Sequence, residues 1–266
     1  MIHLRSIQKK EIHETDMFPF NVPVIRALNE IEFRTPVTFF VGENGSGKST
    51  LMEAIACAIG SVTVGSQSVN TDPSLAQMRK LAQYLRLAWT KRTLKGFFLR
   101  AEDFFGYAKQ IAQTRQELES DLSNVDAEYK GRSQLAKDLA KLPYRNEVGA
   151  LKRRYGDGLD ARSHGEGFMA LFQSRFVPGG LYLLDEPEAP LSPLRQLSFL
   201  SALKQMITED SQFIIATHSP IILAFPEAQI LSFSDGEIRK VEYNDLEHVT
   251  LTKEFLNNPG AYLRNL

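Results

Sequence analysis

An α/β fold follows from three stretches of the 266-residue chain, each an apolar run that ends in chemically specialised groups. The first is Pro36–Val41, β-branched and aromatic, which enters a glycine-rich turn and then a helix-forming run ending near Gly60. The second, Leu181-Tyr-Leu-Leu, ends in Asp185-Glu186, with Pro187 forcing the chain to turn. The third, Gln212–Thr217, ends in His218-Ser219-Pro220. Read as strands of one sheet, the three deliver their terminal groups to the same edge.

The turn after the first strand reads Gly42-Glu43-Asn44-Gly45-Ser46-Gly47-Lys48-Ser49-Thr50, which matches the phosphate-binding loop. A strand feeding a glycine-rich turn and a helix aims several backbone N–H groups at one spot, at the positive end of the helix dipole. Gly42, Gly45 and Gly47 permit backbone angles and close approach that a Cβ would obstruct. Asn44, Ser46 and Thr50 complete the loop; Lys48 has the reach for the β- and γ-phosphates, and the Ser49 hydroxyl suits a Mg²⁺ shell. The expected ligand is a nucleoside triphosphate with Mg²⁺.

Composition bounds the alternatives. Hydrophobic residues are 43% and charged residues 24%, as in ordinary globular proteins. A formal net charge of −1 gives no global field favouring nucleic acid or anionic lipid. The single cysteine, Cys57, excludes an internal disulfide framework and lies in an apolar helical run, as a core residue would. No run approaches the ~18 apolar residues that span a bilayer, so the expectation is a cytoplasmic protein without direct membrane insertion.

Taken in order, residues 2–7, 22–28 and 31–33 read as antiparallel strands beside the phosphate-loop strand. Phe18 and Phe20, between them, are equal candidates for stacking on adenine, with plain packing as the alternative. Residues 61–72 suggest a loop or strand edge, 73–85 a helix, and 85–90 and 96–102 strands, the first of which is also compatible with a continued helix. From Phe104 the glycines thin out and Ile111, Leu118, Leu122, Val125 and Tyr129 recur at helical spacing. Gly131 breaks this helix, and Ser133–Leu142 forms a second piece stopped by Pro143. The chain is thus expected to be a single domain over 1–266 with a helical insertion at 103–160. Lys152-Arg153-Arg154 is read mainly as solvated surface. Residues 229–233 and 237–241 flank Ser234-Asp235-Gly236, a hairpin signal, and the tail from Leu251 looks helical and is expected to pack on the core.

Asp185 suits a Mg²⁺ ligand, and Glu186 is placed to orient or deprotonate an attacking water. His218, at the same edge, suits a γ-phosphate contact that stabilises charge without acting as the base. Arg162-Ser163-His164-Gly165-Glu166-Gly167 opens another helix; taken alone, it reads as a capped turn with Ser163 and Glu166 forming the box.

The order of these segments resembles the ABC-type ATPase cassette over nearly the whole chain. The Asp-Glu-Pro-Glu-Ala run and Thr-His-Ser look closest to stand-alone ATPases of the recombination and repair branch. The resemblance implies an ABC-type mixed sheet with an antiparallel β subdomain. It also implies two subunits sandwiching two ATP, with Ser163 and Gly165 serving the partner's nucleotide. Arg162, His164 and Glu166 depart from the usual leucine, glycine and glutamine, and Ser192 stands where many transporters have aspartate. In such cassettes a glutamine loop reaches Mg²⁺; Glu102 takes that place here, with Gln67 as the alternative. The implied activity is ATP hydrolysis by a homodimer, with Lys48, Glu186 and His218 catalytic. An effector protein and nucleic acid are the further partners considered. The implied setting is DNA-related or defence work; the alternatives are a transporter's nucleotide-binding subunit, a small-molecule kinase and an ATP-gated scaffold.

Overall fold

The computed structural model describes residues 1–11, 16–64, 68–155 and 164–264. In chain order the elements are β1 (Leu4–Lys9), α1 (Pro23–Ala27), β2 (Glu30–Glu32), β3 (Val37–Val41), α2 (Lys48–Ile59), α3 (Ala76–Ala82), β4 (Leu85–Trp89) and β5 (Phe98–Arg100). Then follow α4 (Ala101–Glu128), α5 (Gln134–Tyr155), α6 (His164–Arg175), β6 (Leu181–Asp185), α7 (Pro193–Thr208), β7 (Gln212–Ala216) and α8 (Pro220–Leu223). The chain closes with β8 (Gln229–Ser234), β9 (Glu237–Val241), α9 (Glu247–Asn257) and α10 (Pro259–Leu263).

The strands form two sheets: a six-stranded one in the order β5-β6-β7-β3-β8-β9 and a three-stranded one, β2-β1-β4. Every pairing in the large sheet is parallel except β8 with β9, and both pairings in the small sheet are antiparallel. Strands β3, β6 and β7 are buried at every position, as expected for parallel strands covered on both faces. Alternation along them splits the interior in two. Phe39, Tyr182, Leu184, Phe213 and Ile215 face one core with α6 and α7. Phe40, Leu183, Ile214 and Ala216 face the other with α2 and the small sheet. The first core holds an aromatic stack in which Phe97, Phe172, Phe176, Tyr182 and Phe213 meet ring to ring.

The strands at the amino terminus lie apart from β3. There β1 pairs with β2 on one side and β4 on the other, and two glutamines join the sheets. Gln212, fully buried, accepts the His3 and Leu4 N–H groups at 2.8 Å each and donates to Leu4 O at 3.0 Å. Gln229 does the same for Arg34 N–H and Glu32 O, both at 2.9 Å. Residues 22–28, expected as a strand, contain α1 instead. Pro23 occupies its first turn, where a missing N–H costs nothing and the fixed φ already suits a helix.

Gly60 ends α2 in the left-handed conformation, its N–H bonding back to Ala56 and Cys57, and Asp235-Gly236 turns β8 into β9. Burial pushes the Cys57 thiol up to about 11, which leaves it un-ionised at neutral pH. Helices α4 and α5 form a hairpin around Gly131. Pro143 does not stop the second helix, which runs through to Tyr155, so Lys152 and Arg153 ride on a helix. A proline inside a helix deletes one backbone bond, and a hairpin partner alongside allows the helix to continue past that defect. The carboxyl-terminal helices are anchored only at their start. Leu246 and Val249 are buried, while Leu251, Leu256 and Leu263 are exposed.

Candidate functional site

The parallel strands bring their carboxyl ends to one edge, and β7 lies between β3 and β6. Asp185 pairs in register with Ala216, and Ala216 with Phe40. The acidic pair is therefore not on the neighbour of β3 but one strand further, about 10 Å across the sheet. The intervening strand places His218 between the two. Three sequence-distant segments thus converge because one sheet edge collects them.

At β3 the chain turns through Gly42 with φ 147° and enters α2 from Gly47 with φ 97°. A Cβ on Gly42 would stand 2.5 Å from the Phe233 carbonyl oxygen, and one on Gly47 would stand 2.5 Å from Val24 Cγ1. Helix α1 is thus the floor of the loop. Glu43, Asn44 and Gly45 are exposed at the tip, whereas Gly47 and Lys48 are buried. Lys48 Nζ donates to Gly42 O at 2.7 Å and to Glu43 O at 2.9 Å, so the loop closes on its own lysine. Burial depresses the Lys48 pKa, and Asp185, Glu186 and Glu188 oppose that shift.

Asp185 is 7% exposed, and its Oδ1 is buried without a hydrogen-bond partner. Burial raises its pKa to about 6 against the pull of the Ser49 side chain beside it. An orphaned carboxylate oxygen next to a hydroxyl is the donor set a hard divalent cation takes, so Ser49 and Asp185 fit Mg²⁺. Ser46 Oγ is likewise buried and unpaired.

Glu186 sits at φ 51°, and its N–H bonds to Ala216 O at 2.9 Å, which swings its side chain off the strand into the open. His218 Nε2 lies 3.9 Å from Glu186 Oε1. Burial lowers the His218 pKa, and Lys48 adds to that, while Glu186 opposes it. The imidazole is therefore neutral at neutral pH.

Glu102 has its side chain 75% exposed, and its recorded partner is Arg100 Nε at 3.5 Å, not Ser49 or Asp185. Gln67, Arg162 and Ser163 are outside the described residues. Gly165 is buried in the first turn of α6, where a Cβ would stand 3.0 Å from Pro190 O. Glu166 forms a salt bridge with Arg195 at 2.7 Å, and the capping box expected with Ser163 involves a residue outside the described ones. Phe20 and Phe18 now differ: Phe20 is 8% exposed and packs edge-on to Tyr84, while Phe18 is 51% exposed.

Two residues had no role in the sequence reading. Arg100, 13% exposed at the end of β5, contacts Asp103 at 2.7 Å, Glu53 of α2 at 3.0 Å and Asp72 at 3.5 Å. Glu188 accepts the His218 backbone N–H at 2.7 Å. Its position in Asp-Glu-Pro-Glu was visible, but nothing local shows that a carboxylate two residues past Glu186 reaches a different strand.

The model of the AAA-domain family matches residues 21–155, just over half of the chain. The macrolide export ATP-binding/permease protein MacB of Pectobacterium atrosepticum is 24% identical over 232 residues. That match takes in 82% of this chain, which spans 31% of the length of the relative. Among solved structures, the Smc head domain with an extended coiled coil bound to ScpA, from Pyrococcus furiosus, aligns at 12% identity and TM-score 0.47. It covers 96% of this chain and 100% of that one. The cbiO1 protein of Clostridium perfringens, part of an ABC transporter complex, aligns at 15% identity and TM-score 0.46, with both chains covered in full. Among the described residues, no helix is long and apolar enough to cross a membrane.

Proposed function

The chain belongs to the AAA-domain family, and from that premise we propose that it binds ATP with Mg²⁺ on the Gly42–Thr50 loop and hydrolyses it. The observation that carries this reading is the meeting of Lys48, Asp185, Glu186 and His218 at one sheet edge, where three separate strands end. Lys48 exchanges its two carbonyl contacts for phosphate oxygens, and backbone N–H groups of the Gly42–Lys48 turn donate to the same group. Ser49 and Asp185 hold Mg²⁺, which when bound neutralises charge on the phosphate oxygens. Glu186 takes a proton from the attacking water, and neutral His218 donates to a γ-phosphate oxygen. Phe18, left exposed, is the residue available to stack on the base.

We place Ser163 and Gly165 at the nucleotide of a second copy, so that ATP holds two subunits together and hydrolysis releases them. Glu102 remains a candidate for the metal's outer surroundings, and its exposure leaves it free to move there. The setting proposed is an accessory ATPase working with an effector protein in DNA-related or defence processes, in the cytoplasm, with residues 103–160 as an insertion in one domain. Nucleic acid is a candidate partner. A second reading, the ATP-binding subunit of a transporter, is favoured by the similarity to MacB; co-purification with a membrane protein tests it.

The main test is light scattering on Glu186→Gln protein with ATP and Mg²⁺, beside a turnover assay of the unmodified chain. The expected result is turnover lost by ~10²–10⁴-fold and a dimer that accumulates on ATP. Ser163→Arg then returns the mass to monomer. Binding of ATP with no change in mass would remove the two-subunit mechanism, and turnover unaffected by Glu186→Gln would remove Glu186 as base.

A further inference from the structure

Glu188 is a carboxylate that the reaction above does not use, set in the loop that follows Asp185 and carries Glu186. One of its oxygens, Oε1, takes the His218 backbone N–H at 2.7 Å, and Oε2 is buried with no partner. Burial raises the Glu188 pKa, and the bond from His218 is the largest opposing influence. An ionisable side chain held in such a place needs a reason stronger than packing.

The reason lies in how the two loops leave the sheet. Strand β7 delivers Thr217 with its N–H still bonded to Phe40 O at 3.2 Å. One residue on, the strand pairing has ended, and the His218 N–H finds no carbonyl across the sheet edge. Glu188 supplies the missing acceptor from the β6 side. A second link runs parallel to it: Ser219 Oγ bonds to Gln196 Oε1 on α7, and Gln196 Nε2 donates to Leu191 O at 3.1 Å. The loop after β7 is thereby fastened twice to the segment that follows Glu186. The first fastening acts on the residue whose ring faces Glu186.

We propose that Glu188 is a positioning residue that sets the His218 ring against Glu186, so that the loops after β6 and β7 move as one unit when the γ-phosphate arrives or leaves. The proposal rests on the ATPase reading above for its catalytic consequence but not for the linkage itself. With the acceptor in place, the His218 backbone has one position, and the imidazole nitrogen stays near Glu186 Oε1 without a direct bond between them. Without it, the N–H must find water, and the ring samples orientations that do not serve a bound phosphate. Ground-state binding through Lys48 and the loop backbone is untouched, so the loss falls on turnover and not on affinity.

The test pairs Glu188→Ala, which removes the acceptor, with Glu188→Gln, whose amide oxygen can still accept the N–H. For Glu188→Ala the expectation is kcat reduced about tenfold, the kinetic equivalent of one lost buried hydrogen bond, with KM for ATP unchanged. Glu188→Gln retains kcat within about threefold. In a His218→Ala background, Glu188→Ala has little further effect, because the two residues act through one element. Equal losses in both Glu188 variants, a rise in KM alone, or effects that simply add to those of His218→Ala would overturn the assignment.

Independently of turnover, histidine-labelled protein is examined by NMR, with the His218 ring signal identified by its loss in His218→Ala. Glu188→Ala shifts or broadens that signal and Glu188→Gln does not. An unmoved signal in Glu188→Ala overturns the linkage. A moved signal in a protein that does not turn over ATP keeps the linkage and removes the ATPase reading.

Discussion

The sheet edge and the helical hairpin are built on opposite terms. At the edge, polar groups are buried and several lack partners: Asp185 Oδ1, Ser46 Oγ, Glu188 Oε2 and His218 Nε2. Along the hairpin the polar groups are solvated or paired, as with Arg115–Glu119 at 2.9 Å and Lys141–Asp126 at 2.7 Å. There the anomaly is apolar instead. Leu135, Leu139 and Leu142 are 71%, 61% and 50% exposed on α5. Buried unpaired polar atoms cost stability and are tolerated where a ligand will satisfy them. Exposed leucines cost far less. The first region holds strain against a ligand, and the second stores little.

Arg100 stands where the two regions meet, since it ends β5 and precedes α4. Burial disfavours its charge, but Asp103 and Glu53 more than offset that and hold its pKa above the ordinary value. Its guanidinium binds the phosphate-loop helix, the 68–75 segment and the first turn of the hairpin together. Arg100→Met keeps the volume and removes the charge, leaving carboxylates in close company. Chemical denaturation is expected to show a loss of about 3 kcal/mol, the low end for stripping one partner from a buried network. A loss below about 0.5 kcal/mol, the range of an exposed pair, would mean that the hairpin and the site are joined by packing alone.

Asp185 tests the claim of strain at the edge directly. Its folded pKa, near 6, is raised above the unfolded value of about 4. The folded state therefore holds its proton more tightly, and stability without ligand falls as pH rises from about 4 through about 6. Asp185→Asn abolishes that slope. At pH 7.5 the variant is expected to be more stable than the unmodified protein by ~2 kcal/mol in the absence of Mg²⁺ and ATP, while losing turnover. Thermal melts across pH 4 to 8 measure both. An identical pH slope in the two proteins would show that Asp185 ionises without cost and that the edge is not strained.

The same contrast explains what the sequence disclosed. The phosphate loop, Asp185, Glu186 and His218 are legible because each depends on residue type: glycine at a positive φ, a carboxylate at a strand end. Their convergence needed only parallel strands. The interposition of β7 was not legible, since strand order is a property of the whole sheet. Nor was the separation of β1 and β2 from β3, because the pairing of β1 with β4 and the glutamine links that join the two sheets all span long sequence distances. Residues 22–28 misled because Val and Ile favour strands, whereas Pro23 at a helix start and the floor it makes for Gly47 decide the matter. In the hairpin, periodicity located the helices, yet Pro143 was given too much weight. A proline stops an isolated helix more surely than one supported along its length.

The smallest expected effect comes from the hairpin's own anomaly. Leu139 lies in the middle of the exposed row, with Leu135 one turn before it and Leu142 one turn after. The buried contact between α4 and α5 is made on other faces, where Val125 is 5% exposed and the Lys141 side chain, 13% exposed, reaches Asp126. Leu139→Lys therefore removes little buried surface and adds a charge to a helix already bearing Lys137, Lys141 and Arg145. Helix propensity is nearly equal for the two residues. Unfolding free energy is expected to change by less than about 0.5 kcal/mol. A loss of 2 kcal/mol or more, measured by chemical denaturation at several protein concentrations, would mean that the leucine row is covered in solution. In that case the contrast between a strained edge and a relaxed hairpin would have to be redrawn.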